Sequence, residues 1–354
     1  MTKLNKFQKL LMILMSGFLL GMLGLGISPS HATAASIQLQ DNPPATPLPD
    51  PLGDPLPEAG PIPESAWRPA LFPVPWSLSD YDHFFLTRPI TARSVNWPLQ
   101  VYRYGGTNFG PNLPHTGVDI VTKVGTPAIA TGPGTIVWTG SGLYSGGNDP
   151  NDPYGISVVI EHDFGYIDQP LFSVYAHLSQ SLVQRGQHVE TGEVIAYSGD
   201  TGNVTSAHLH YEIRLGVNDY YHSMNPELWM APPQGWGVLA GRLTTTWNNL
   251  VDGLEIRITN RITGQRWYAK AYGSTDVING DPYYHENFVL SDLPAGHYEI
   301  YVPYVGYGFY ENVWVYPGAV TYFTFRGMNG VFTQRPLRDI PESVPNYLEL
   351  VPGQ

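Results

Sequence analysis

Short apolar runs alternate with turn residues along most of the chain, at intervals too short for helices. PAIATG (127–132), GTIVWTG (134–140), ISVVIEHD (156–163), FSVYAHLS (172–179), GEVIAYSG (192–199) and HLHYEIRL (208–215) are rich in Val, Ile, Tyr and Thr. Gly or Pro bounds nearly all of them, so each reads as a strand. The 38 Gly and 33 Pro residues would break any long helix. The fold class is therefore all-β: an antiparallel, barrel-like sheet domain followed by a small β-sandwich. A polar stretch, SGLYSGGNDPNDPYG (141–155), reads as a long loop suited to rimming a groove.

Composition shifts divide the chain. Lys3, Lys6 and Lys9 precede the apolar LLMILMSGFLLGMLGLGI, and Ala32-Thr33-Ala34 forms a small-x-small site. Residues 1–34 thus read as an export signal, with an extracytoplasmic protein beyond it. Residues 35–66 form a Pro-rich, extended linker. Residues 67–232, with a core over 95–230, form the first domain. APPQGWG (231–237) marks a junction, so a chain cut at 238 should leave that domain folded. GLEIRITNRITGQRWYAKAYG, NFVLSDLPAGHYEIYVPYVGYG and NVWVYPGAVTYFTF alternate again, placing a sandwich over 238–327. The tail, 328–354, carries no assignment.

The net charge of −12 becomes −15 without the three leader lysines, since 15 Lys and Arg then face 30 Asp and Glu. Such acidity argues against nucleic acid as partner, and no polybasic patch holds the mature chain on anionic lipid. With no Cys there are no disulfides and no thiolate chemistry, so a metal must use His, Asp or Glu.

Three segments supply such groups: PHTGVDI gives His115 and Asp119, VYAHLS gives His177, and HLHYEIRL gives His208 and His210. Strand side chains alternate faces, so His208 and His210 point into the same space. The other seven histidines (31, 83, 162, 188, 222, 285 and 297) show no such grouping and read as surface or core residues. A catalytic zinc takes three protein ligands and keeps one position open, leaving five candidates for three places.

HTGVD, VGTPAIATGPGTIV, YAHLS, GQHVETGEVIAYSGDTGNVTSAHLHYEIR and NPELWM, in this order, resemble the lysostaphin-like (LytM-type) zinc endopeptidases that cut peptidoglycan peptides. The resemblance implies one zinc held by His115, Asp119 and His210, with His177 and His208 as catalytic histidines. His208 would then be the base, and an imidazolium His177 would face the oxyanion and set an alkaline limb of activity. The implied partner is a peptidoglycan peptide. Two features depart from the family: the long YGGTNFGPNLP segment before His115, and Ser-Ala where Gly-Pro is usual before His208. A non-catalytic wall-binding protein and a peptidase of extracellular Gly-rich protein are the rival readings. Gly192, Gly199 and Gly202 read first as turn residues. In the second unit, Leu293-Pro294-Ala295-Gly296-His297-Tyr298 resembles the transthyretin or carboxypeptidase-regulatory sandwich. Trp267, Tyr304, Tyr307 and Trp314 there are either scaffold or a binding surface, and scaffold is the favoured role.

Overall fold

A computed structural model describes residues 70–78, 81–90, 100–106, 114–273 and 276–335. The export signal, the whole of the linker, and the tail beyond 335 lie outside the described residues. Among the described residues no helix is long and apolar enough to cross a membrane.

The regular secondary structure of the described chain is strand, apart from three single-turn 3₁₀ segments. Its first ten strands are β1 (Gln100–Tyr102), β2 (Val118–Val121), β3 (Pro127–Ile129), β4 (Gly134–Gly140), β5 (Ile156–Tyr166), β6 (Gln169–Ser181), β7 (His188–Val189), β8 (Val194–Ser198), β9 (His208–Leu215) and β10 (Ser223–Met224). They form one sheet in the order β1-β2-β9-β6-β5-β4-β7, with β3 and β8 paired beside β6 and β10 on β9. Every pairing in this sheet is antiparallel.

The second set comprises β11 (Trp236–Thr244), β12 (Glu255–Asn260), β13 (Arg266–Lys270), β14 (Phe288–Pro294), β15 (Gly296–Tyr304), β16 (Tyr307–Val315), β17 (Val320–Arg326) and β18 (Val331–Arg335). Two four-stranded sheets result, β14-β11-β17-β18 and β13-β12-β15-β16. Leu239, Leu243, Phe288 and Phe323 of the first meet Ile256, Ile300, Val302 and Val315 of the second in one core. The pairing of β11 with β17 is parallel, the others antiparallel.

Alternation explains which faces are buried. In β15 the burial pattern alternates from Gly296 to Pro303, as expected of a sheet with one wet face. β11 is buried almost throughout, because both of its faces are covered. Its other face, with Val238, Ala240, Val289, Val320 and Tyr322, joins the apolar cluster that also holds Phe84, Trp229, Met230, Tyr211 and Ile213. The hydrophobic core is thus continuous from the large sheet into the sandwich.

Candidate metal centre

Three adjacent strands bring the sequence segments together. Asp119 of β2 is directly opposite His210 of β9, and Val121 opposite His208. On the other side of β9, Ala176 of β6 pairs with His210, which places His177 at the next position along. His115 precedes β2 in a turn clasped by main-chain bonds: its N–H donates to Gly106 O and its carbonyl accepts from Gly105 N, both at 2.8 Å. Gly117 lets this turn approach β9, since a Cβ there would lie 2.9 Å from the His210 ring.

His115 Nε2, Asp119 Oδ1 and His210 Nδ1 form a near-equilateral triangle with edges of 2.9, 2.9 and 3.0 Å. All three residues are buried. Edges of a tetrahedral zinc shell with bonds of ~2.0–2.1 Å are only slightly longer, at roughly 3.3 Å. The second carboxylate oxygen, Asp119 Oδ2, is buried and accepts no hydrogen bond from the described residues. His208 Nε2 lies 3.5 Å from it. A buried carboxylate with an unsatisfied oxygen, flanked by converging imidazole nitrogens, fits a divalent cation.

The ring tautomers support the same donor set. A carbonyl can only accept, so a ring nitrogen bonded to one carries the hydrogen and leaves its partner nitrogen with a free lone pair. His115 Nδ1 donates to Arg103 O at 3.1 Å, His177 Nδ1 to Thr201 O at 2.9 Å, and His208 Nδ1 to Ser206 O at 2.8 Å. His210 is turned the other way, with Nε2 3.4 Å from Glu212 Oε2. Each ring is thereby aimed through its other nitrogen.

His177 holds its position with a backbone φ of 59°, in the left-handed region. For a residue with a Cβ this costs on the order of 1–3 kcal/mol, and such outliers cluster at functional sites. Its ring centroid lies 4.7 Å from that of His208 and 5.6 Å from that of His210. Gly202, at φ 82°, packs its backbone on Gly155 beside the Thr201 carbonyl. Its surroundings are those of a tight turn that supports His177.

Electrostatics separate the residues. Burial, with the charges of His210 and His208 adding to it, pushes His177 down to about 3. Burial also lowers His208. Burial would lower His210 too, but its hydrogen bonds to Asp119 and Glu212 outweigh this and raise it to about 9. Burial alone would raise Asp119, yet the adjacent His115 and His210 hold it well below the usual carboxylate range. Two neutral rings therefore flank a point where the surrounding carboxylates favour positive charge, whether proton or metal ion. This lowering runs against the expectation that His177 carries an imidazolium near neutrality, because its ring is buried beside two other imidazoles.

Behind these residues lies a layer that the grouping of histidines in the sequence does not mark. Glu212, fully buried, accepts from Thr116 Oγ1 at 3.0 Å, Tyr154 OH at 2.8 Å and Arg214 Nε at 2.7 Å. Arg214 Nη2 also donates to Tyr154 OH at 3.0 Å. Burial works against its charge, but Arg214 and His210 hold Glu212 down at about 2. The signal was present: His208, His210, Glu212 and Arg214 share one face of β9, whereas Leu209, Tyr211, Ile213 and Leu215 enter the apolar core.

Residues 113–226, which include all five of these site residues, match peptidase family M23. Peptidoglycan DD-endopeptidase ShyA of Vibrio cholerae is 42% identical over 101 residues, 28% of this chain and 20% of that protein. Lysostaphin of Staphylococcus simulans is 34% identical over 164 residues, 46% of this chain and 30% of that protein. Among solved structures, the catalytic domain of lysostaphin from Staphylococcus simulans is 29% identical, with a TM-score of 0.32, covering 39% of this chain and 95% of that one. The chain thus spans less than a third of the length of these two curated relatives.

Proposed function

We propose that the protein is a secreted zinc endopeptidase that hydrolyses peptide bonds in peptidoglycan. The observation that carries this reading is the convergence of His115 Nε2, Asp119 Oδ1 and His210 Nδ1, with two neutral imidazoles beside them. Zinc held by those three residues supplies an electrophile that acidifies water and polarises a peptide carbonyl. His208, neutral and open at Nε2, takes the proton of the attacking water. Asp119 Oδ2, 3.5 Å away, stabilises the imidazolium so formed. That imidazolium then faces the developing oxyanion and passes its proton to the leaving amine. His177, neutral and fixed through Nδ1, offers only an acceptor and orients the water. In this reading His177 is an acceptor instead of the oxyanion donor expected from the sequence.

The remaining assignments follow from this reading. Residues 1–34 direct export, 35–66 tether, 67–232 carry the chemistry, and the 238–327 sandwich, of transthyretin or carboxypeptidase-regulatory type, supports it. The protein works outside the cytoplasm on a wall peptide. Incubation with purified peptidoglycan should release peptide fragments identifiable by mass spectrometry, and His210→Ala should release none. Intact peptidoglycan beside a cleaved Gly-rich protein would redirect the substrate. Intact samples of both, with stoichiometric zinc in the protein, would leave a non-catalytic binding role.

A further inference from the structure

The turn that holds His115 is fastened to the sandwich. Arg103 O accepts from both His115 Nδ1 and Gly106 N, at 3.1 Å each, so residues 103–106 fix the ring and backbone of His115 together. Three consecutive residues of that turn are in turn held from outside it. The Arg103 guanidinium pairs with Glu227, whose Oε2 also accepts from Ser291 N of β14 at 2.8 Å. Tyr104 OH donates to Ser223 O at 2.9 Å and accepts from Asn279 N at 2.8 Å. Its ring meets Tyr272 edge-on at 5.3 Å, within a small buried cluster completed by Val277 and Ile278. At Gly105, φ 75°, any side chain would run into Tyr272. Ser291, Tyr272 and Asn279 all belong to the C-terminal unit.

We infer that the sandwich is a working part of the metal centre, with Glu227 and Tyr104 as positioning residues that set zinc affinity by holding the Arg103–Gly106 turn against His115. This rests on the zinc reading above. A carboxylate that only solubilised the surface would be exposed, whereas Glu227 is fully buried. A buried carboxylate shared between a guanidinium and a main-chain N–H fixes both partners. Loosening it frees the carbonyl that selects the His115 tautomer, and loss of such outer partners costs on the order of 10–100-fold in metal affinity.

The test is zinc affinity by chelator competition on the full chain, with Co²⁺ absorption as a report on ligand geometry. Glu227→Gln keeps an acceptor for Ser291 N but removes the charge facing Arg103. Tyr104→Phe keeps the ring but cuts the bonds to Ser223 and Asn279. Both should bind zinc on the order of tenfold more weakly and alter the Co²⁺ spectrum, while Trp314→Ala, on the exposed face of β16, should match wild type. If either variant fails to fold without metal, the other decides. Wild-type affinity in the folded variants, with binding abolished in His115→Ala, overturns the inference and leaves the zinc reading intact. Wild type that binds no zinc, or His115→Ala that binds normally, overturns the zinc reading and this inference with it.

Discussion

Each of the four imidazoles at the centre is committed through one nitrogen, three to main-chain carbonyls and one toward Glu212. Roles within the His208/His210 pair therefore follow from which nitrogen is tied. His210→Ala should lose its zinc, as metal analysis would show. His208→Ala should keep zinc and lose turnover by about 10²–10⁴-fold, the usual worth of a general base. Equal loss of metal in both would mean that the two rings share the ligand role. Glu212→Gln should weaken zinc binding by ~10–100-fold, because it removes the charge toward which His210 Nε2 is turned and leaves Arg214 buried without its anion. A chelator titration reads this directly, and unchanged affinity would reduce Glu212 to a structural partner of Arg214. His177, lowered to about 3, has no proton to lose above neutrality. Any alkaline limb in the rate profile should consequently survive His177→Gln unshifted, whereas loss of that limb would restore an imidazolium at 177.

At the scale of the strands, β9 shows why one pattern carries both fold and chemistry. Its period of two sends Leu209, Tyr211, Ile213 and Leu215 into the apolar core and His208, His210, Glu212 and Arg214 to the centre, so one residue of slippage would exchange them. That much was legible in HLHYEIRL, as were the pairing of His115 with Asp119 and the all-β class. The support of His177 was not legible, because its left-handed backbone and its bond to Thr201 O depend on a loop 24 residues later. β5 supplies a separate test. His162 lies between Pro133 O, 3.2 Å from Nδ1, and Ser173 Oγ, 3.0 Å from Nε2, and burial lowers it to about 4. The folded state thus favours the neutral ring. That stabilisation is complete above the unfolded value near 6.5 and is lost as pH falls from there through 4. The loss is about 3 kcal/mol, at 1.36 kcal/mol per unit. Urea melts at pH 7 and pH 4.5 should show a smaller acid loss in His162→Gln than in wild type. Equal losses would place the acid sensitivity elsewhere.

For the whole molecule, the decisive feature is that two units separable in sequence share one core. The Pro-bearing stretch at 231–237 suggested that a chain cut at 238 would leave a folded peptidase. The structure points the other way. Val238, Ala240, Tyr284, Val289, Val320 and Tyr322 belong to the same cluster as Phe72, Phe84, Trp229 and Met230. Polar links cross as well: Val320 N and Tyr284 OH both donate to Asp82 Oδ1 at 3.2 Å, and buried His83 lies 3.1 Å from Asp281. Full exposure costs about 1.5–3 kcal/mol for each large apolar side chain. Uncovering even part of four such residues, and stranding Asp82 and His83, removes a large share of the ~5–15 kcal/mol that holds a typical domain. The cut also takes away Tyr272 and Asn279, which hold the turn behind His115. A chain ending at 237 should therefore be insoluble or should melt without cooperativity, and should bind zinc weakly if at all. Co-expression with residues 238–335 should recover both solubility and metal. A soluble 1–237 fragment with a cooperative melt and stoichiometric zinc would show that the large sheet completes its own core, and that the shared cluster adds only cohesion between two independent folds.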